Sequence, residues 1–268
     1  MTDQNAAFVG SIPENYDRYL GPALFEPYAE DLAGRLELAD GASLLEVACG
    51  TGIVTGRLRE RFPGAKITAT DLNGEMMEYA ARKLAGATGI EWRTADASAL
   101  PFDDESFDAV VCQFGLMFVP DKAAAAREAR RVLRPSGRFL FSVWDSIEHN
   151  DLARVAHETI ASFFERDPPN FYEIPFSFHD PPAVRALLGG AGFRDVELTH
   201  VELPCVSPSA REAAIGLVEG NPVIGAIKER ARATPAEIAE AVAAQLAARY
   251  GERPVRCGMR AVVCSAAR

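Results

Sequence analysis

The chain has 268 residues, 48% of them hydrophobic and 25% charged, which suits a soluble globular protein with one large core and room for a small second lobe. Its 38 acidic against 28 basic side chains leave a formal charge of −10, a field that repels phosphate backbones and argues against DNA or a large RNA as substrate. No apolar run approaches the ~18 residues of a membrane span, no basic-then-apolar leader opens the sequence, and the five cysteines form no C-x-x-C pair, so a cytoplasmic protein with reduced, buried thiols and no metal site is expected.

In chain order, residues 1–15 read as loosely held. Aromatics and leucines then recur at helical intervals from Asn15 to Leu38, broken at Gly21-Pro22 and at Pro27, which predicts two or three short helices. Tyr16, Tyr19, Phe25 and Tyr28 there either line a pocket or form the face that packs on the domain. A regular alternation follows: strand 43–48, helix 52–62, strand 66–70, helix 74–84, strand 90–94, strand 107–113, helix 121–133 and strand 138–144. Pro63-Gly64 ends one helix, and Arg134-Pro135-Ser136-Gly137 is expected to end another before its strand; Asp121 is a natural N-cap. Such alternation predicts an α/β fold with a mostly parallel sheet covered on both faces.

Beyond Trp144 the rhythm changes. A helix is expected over 151–165, then an aromatic and proline-rich loop, a helix opened by Asp180-Pro181, and a strand near 193–203. Residues 208–250 read as helical, with Thr234-Pro235-Ala236-Glu237 as a capping box, and a last strand over 255–264 is expected to pair with the strand near 193–203. The expected organisation is an N-terminal helical cap segment over 1–40 and a domain over 41–268, with helical insertions at about 145–190 and 208–250.

The chain is organised around SLLEVACGTGIVTG, residues 43–56. A buried strand, a turn of small residues and a helix start bring free backbone N–H groups and the positive helix end to one place, which suits a nucleoside that must approach the backbone. The turn departs from G-x-G-x-x-G: it reads Glu46-x-Ala48-x-Gly50-x-Gly52. In open parallel sheets a ligand binds beyond the carboxyl ends of the strands. Asp71 ends the second strand, where a carboxylate can accept both hydroxyls of a ribose or instead cap the helix near Gly74, a task Asn73 can share. Asp96 ends the third, where it can accept from an adenine amine with the Ala97 N–H donating to a ring nitrogen, or simply cap its loop. Gln113 and Phe114 end the fourth. Leu72 and Met76 can sandwich a base or belong to the core.

These segments together resemble the class I S-adenosylmethionine-dependent methyltransferases, in particular the branch related to ubiquinone/menaquinone C-methyltransferases. The resemblance covers roughly 40–144, through EVACGTG, ATDLNGEMMEYA, ADASALPF and FDAVVCQFGLMFVPDKAAAAREARRVLRPSGRFLFSVW. It implies a Rossmann-like methyltransferase fold with a seven-stranded sheet, and S-adenosyl-L-methionine as cofactor, leaving S-adenosyl-L-homocysteine as product; the extra helices at the start, at 145–190 and at 208–250 are expected to gather over one edge of that sheet as a helical cap. It places the glycine-rich turn under the methionine part, Asp71 at the ribose, Asp96 at the adenine amine, a backbone near Gln113 at the methionyl ammonium and Glu46 near the amino acid moiety. Ala48 stands where the family usually has glycine. Tyr16 and Tyr19 resemble N-terminal tyrosines that close over the cofactor or acceptor.

A base is needed only if the acceptor loses a proton. His149, beyond the fifth strand, and His179, in the loop FYEIPFSFHD, are the candidates, each with a surface or capping role as its plain alternative; His157 and His200 read as structural. The aromatics Phe163, Phe164, Phe171, Tyr172, Phe176 and Phe178 favour a small apolar or aromatic methyl acceptor, or simply the core of a cap. A nicotinamide-dependent oxidoreductase and a non-catalytic S-adenosylmethionine-binding protein are the rival readings, and homodimerisation stays open.

Overall fold

The computed structural model describes residues 8–268. Seven strands form one sheet in the order β3-β2-β1-β4-β5-β7-β6: β1 (Ser43–Val47), β2 (Lys66–Asp71), β3 (Ile90–Thr94), β4 (Phe107–Gln113), β5 (Leu133–Trp144), β6 (Arg194–Ser207) and β7 (Val255–Ala267). The first five are parallel, and β7 runs antiparallel to β5 with Trp144 opposite Ala261. Chain order reverses between β1 and β4, which makes the space beyond their carboxyl ends the expected ligand crevice.

The chain divides into two compact units. The sheet unit comprises Tyr28–Asp145, Phe178–Val201 and Ala261–Arg268. Helices α3 (Ile53–Arg61), α4 (Gly74–Lys83), α5 (Lys122–Val132) and α7 (Pro181–Gly190) belong to it. Leu44, Leu58, Ile67, Val111, Leu140 and Val263 share one of its cores, each at most 2% exposed, because β1 and its neighbours carry apolar residues on both faces. The other unit is mainly helical and holds the residues up to Pro27, Ser146–Ser177 and Glu202–Arg260. It contains α6 (Asp151–Ala161), α8 (Ala210–Glu219), α9 (Val223–Arg230) and α10 (Pro235–Tyr250). Gly216 on α8 leaves room that Leu20 fills: a Cβ at Gly216 would come within 2.6 Å of a Leu20 methyl.

Four local readings are corrected. The segment near the N-terminus is not broken at Gly21-Pro22 or Pro27: α1 (Ile12–Asn15), a π-helical stretch (Tyr16–Phe25) and α2 (Glu26–Gly34) follow one another without a gap. The wider π spacing, with the Glu26 N–H donating to the Gly21 carbonyl five residues back, carries Pro22 inside a helix that its missing N–H would otherwise interrupt. The expectation that residues 1–15 are loosely held fails for Ile12–Asn15 and otherwise lies largely outside the described residues. Arg134-Pro135-Ser136-Gly137 does not separate α5 from its strand; β5 begins at Leu133, and pairing jumps from Phe107–Leu133 to Ala109–Arg138, so these four residues bulge out of the ladder. The helix after Asn150 ends at Ala161, where Ser162 Oγ donates to the Thr159 carbonyl at 2.6 Å. Residues 208–250 are helical as expected, in three helices.

The caps read from sequence hold. Asp121, Asp180 and Thr234 accept from backbone N–H groups of α5, α7 and α10, and Thr234 with Glu237 completes the capping box. Asn73, not Asp71, caps α4. All five cysteines are free thiols, four buried and Cys257 half-buried. Among the described residues no helix is long and apolar enough to cross a membrane.

Candidate functional site

The turn after β1 is held by two bonds to the end of its neighbour β2. The Cys49 N–H donates to the Thr70 carbonyl at 2.9 Å, and the Gly50 N–H donates to Asp71 Oδ2 at 2.8 Å. The other Asp71 oxygen accepts from the Asn73 N–H at 2.8 Å. Asp71 therefore joins the turn after β1 to the turn after β2. Burial pushes its pKa up, against the lowering effect of hydrogen bonds from Asn73, Gly50 and Leu72.

Three residues of this turn, Ala48, Gly50 and Gly52, have left-handed backbones with φ of 56°, 54° and 76°. The alanine at 48 is strained there by about 1–2 kcal/mol relative to glycine. Its methyl is accommodated from across the sheet: Gly115, just beyond β4, lies where any Cβ would collide with the Ala48 methyl. The departure from the family pattern at 48 thus has a local counterpart at 115. At Gly52 a Cβ would meet the Ala80 methyl at 3.0 Å and a Leu84 methyl at 3.2 Å, so this glycine lets α3 and α4 approach.

Glu46 is only 2% exposed and accepts from Thr55 Oγ1 at 2.6 Å, one turn into α3. Burial raises its pKa to about 8; the Thr55 hydrogen bond opposes this and the neighbouring Asp71 charge adds to it. At neutral pH the free protein therefore keeps Glu46 mostly protonated. The Thr51 hydroxyl, in the same turn, is buried without a hydrogen-bond partner, as is that of Ser142 on β5. Such groups are rare in native interiors and mark places where a polar ligand fits.

Around this turn the sheet unit gathers most of the sequence-predicted residues. Met76 is buried at the start of α4, with its terminal methyl 3.6 Å from where a Gly50 Cβ would stand. Leu72 is 61% exposed at the tip of β2, one of two large apolar side chains so exposed among the described residues. Asp96 is exposed and turns its Oδ1 onto the Ser98 N–H at 2.8 Å and hydroxyl at 2.6 Å, the loop-capping geometry. Ala97 and Ala48 line a small, partly open apolar cavity of about 20 Å³ with Leu100, Cys112 and Gly115. That is the size of one water and too small for a cofactor. Gln113 ends β4 half-buried, in register with Ser142.

The loop carrying Asp96 is clamped from behind, a feature sequence reading missed. Arg131 on α5 donates to the Leu100 carbonyl at 2.9 Å, the Phe102 carbonyl at 2.7 Å and Asp104 at 2.7 Å, while Glu128 accepts the Leu100 N–H at 2.8 Å. Thr55 was also missed, although a threonine one turn after the strand carrying Glu46 is a readable signal.

The proton-handling candidates are scattered. His149 lies exposed in a short turn of the helical unit, and Tyr16 stacks on Phe25 there, with ring centroids 4.5 Å apart. Tyr19 belongs to the same π-helical stretch, with the Arg18 guanidinium 5.1 Å from its ring. His179 belongs to the sheet unit and is half-buried just before α7. Tyr28 proves to be core: 1% exposed, edge-on to Phe114 and Trp144, its hydroxyl donating to the Val201 carbonyl at 2.9 Å. Among the described residues no group of three metal-ligating side chains could hold an ion.

Comparison with known proteins agrees with this geometry. A methyltransferase domain family matches residues 45–141, from β1 into β5. A ubiquinone/menaquinone biosynthesis C-methyltransferase from Paracoccus denitrificans is 46% identical over 38% of this chain, a match that spans 42% of the relative's length. A demethylmenaquinone methyltransferase from Staphylococcus epidermidis is 30% identical over 69% of this chain and 83% of its own length. Among solved structures, the YcgJ protein of Bacillus subtilis superposes with a TM-score of 0.61 over 90% of this chain and 98% of its own, at 17% identity, a likeness of fold. On the strength of the match to the Staphylococcus epidermidis relative over two thirds of its length, the chain belongs to the class I S-adenosylmethionine-dependent methyltransferase family.

Proposed function

We propose that this chain transfers a methyl group from S-adenosyl-L-methionine to a small apolar or aromatic molecule. The observation that carries the reading is the bond from the Gly50 N–H to Asp71, which joins two of the motif segments at the tips of β1 and β2. The residues present fit the cofactor: the Thr51 hydroxyl is buried and unpartnered, and the Gly50 position offers backbone without a side chain. When bound, the cofactor supplies an activated methyl on a sulfonium, so the protein has only to bind, orient and exclude water. Asp71 would take the ribose hydroxyls. Leu72 and Met76 would cover the two faces of the base, with Asp96 and the Ala97 N–H at its edge. Glu46, Ala48, Gly50, Gly52 and Gln113 would surround the amino acid end.

The acceptor class is proposed from the relatives, two of which are named for quinone methylation. Within the sheet unit, His179 is proposed to face the acceptor. The test is titration calorimetry with S-adenosyl-L-homocysteine and with NAD. Homocysteine-analogue binding without NAD binding is expected, and the reverse ends the reading. Asp71→Ala is expected to weaken that binding by about 1.5–3 kcal/mol through loss of charge-assisted hydrogen bonds. Unchanged affinity in a folded variant would remove Asp71 from the ribose.

A further inference from the structure

β6 and β7 are neighbours in the sheet, and each carries one cysteine in the part that belongs to the helical unit, Cys205 and Cys257. Side-chain contacts along the two strands fix their register. The Arg194 guanidinium donates to the Arg268 carbonyl at 2.8 Å, and Arg260 Nη1 lies 3.3 Å from Glu202 Oε1. These contacts stand eight residues apart on both strands and in opposite order, so the pairing is antiparallel with no bulge between them. Three residues on from Glu202 and three back from Arg260, Cys205 comes opposite Cys257. The same register sets Ser207, the last residue of β6, opposite Val255, the first of β7. The two thiols are also hydrogen-bonded to each other, which together with burial holds the Cys205 pKa far above the usual thiol range.

Directly opposed residues of an antiparallel ladder have Cα atoms about 4.5–5.5 Å apart and side chains on one face of the sheet. A disulfide spans Cα separations of about 4.4–6.8 Å, so this pair can be joined without moving either strand. The backbone beside Cys257 is held in place: the Gly258 N–H donates to Asp151 Oδ2 at 2.9 Å, and the Tyr250 hydroxyl donates to Oδ1 of the same carboxylate at 2.8 Å. The two thiols differ in access. Cys205 is fully buried, whereas Cys257 is half-buried. A small oxidant therefore meets Cys257 first, with Cys205 behind it as the resolving thiol.

We propose that Cys205 and Cys257 form an oxidation site, which a hydroperoxide closes into a cross-strand disulfide and a dithiol opens again. The Cys257 sulfur attacks a peroxide oxygen and becomes a sulfenic acid, and with hydrogen peroxide one water leaves. The Cys205 sulfur then bonds to the Cys257 sulfur, the S–O bond breaks, and the Cys205 proton departs with the hydroxide as a second water. The two sulfurs together lose two electrons, and the peroxide gains them. The chain between the cysteines carries α8, α9 and α10, so the bond staples a three-helix segment at its base. Nothing in this step depends on the methyl-transfer reading.

The test uses the full chain treated with hydrogen peroxide, its remaining thiols alkylated, and digested without reductant. Mass spectrometry is expected to find Cys205 linked to Cys257, with free thiols falling from five to three and returning to five with dithiothreitol. Cys205→Ser is expected to leave Cys257 as a sulfenic acid that dimedone traps. Cys257→Ser is expected to keep Cys205 a thiol at peroxide concentrations that close the wild type. The urea midpoint of the oxidised wild type should lie above that of the reduced protein; a midpoint that does not rise overturns the staple. A sulfinic acid at Cys257 with Cys205 still a thiol, or a Cys257 disulfide between two copies of the chain, overturns the pair. Five thiols surviving the peroxide overturn the site.

Discussion

Each unit has a buried polar knot, and the two knots differ in kind. In the sheet unit it is Glu46 with Thr55, next to Asp71: two carboxyl groups in a place that disfavours their charge. In the helical unit it is Tyr172 with Asn221. The Tyr172 hydroxyl donates to the Leu217 carbonyl at 2.6 Å, and the Asn221 amide reaches the Gly216 and Leu217 carbonyls at 3.4 and 3.3 Å. Burial drives the Tyr172 pKa further up, so this knot stays neutral at every pH at which the protein is folded. A neutral, internally closed network is what a fold uses to fix packing. A pair of acids held against their preference is what a ligand site uses.

The largest effect that would sharpen this contrast is expected at Tyr172. Tyr172→Ala empties a fully buried ring site and strands the polar groups around it, which should destabilise by ~4–6 kcal/mol in urea unfolding. Affinity for S-adenosyl-L-homocysteine in the protein that remains folded should not change. A large loss of affinity would mean that the helical knot also serves the ligand.

At Glu46 the expected signature is a pH dependence. The folded protein holds a proton up to about pH 8 that the unfolded chain releases near its ordinary value of 4.5. The folded state therefore binds more protons across that window, and stability falls as pH rises through it, by ~3–5 kcal/mol in total; Asp71 adds in the same direction. Glu46→Gln keeps an acceptor for Thr55 and should flatten most of this dependence in thermal unfolding followed from pH 5 to 9. A wild-type stability that climbs over the same range would contradict the buried neutral acid.

The smallest effects should be alike in the two units. Asn73→Ala and Thr234→Ala each remove an N-cap, at α4 and α10, and each should cost about 1 kcal/mol. A cofactor affinity that falls tenfold in Asn73→Ala alone would show that the α4 cap also positions Asp71 for its ligand.

What was legible in the sequence follows from range. The strands through Gln113 were readable to within about a residue because β-branched and apolar runs end at local signals such as Pro63-Gly64 and Asp121. Arg134-Pro135-Ser136-Gly137 carried the same local signal but sits in a bulge, since pairing with Asp108 and its neighbours decides there and not turn propensity. The break expected at Pro22 failed because a π turn keeps that proline inside a helix, and the one at Pro27 because it stands in the first turn of α2. The residues proposed for the cofactor side lie in contiguous motifs, which is why the sequence singles them out. Cys205 with Cys257, and Gly115 answering Ala48, were not legible, because nothing in the intervening chain announces that these pairs meet.

The Arg131 clamp has one more consequence. Because a single guanidinium fastens the backbone at Leu100 and Phe102 as well as the Asp104 side chain, the segment following Asp96 is frozen when the chain folds, not when a guest arrives. The recognition proposed for that edge would then resemble a key meeting a rigid lock, with little ordering entropy left to oppose association.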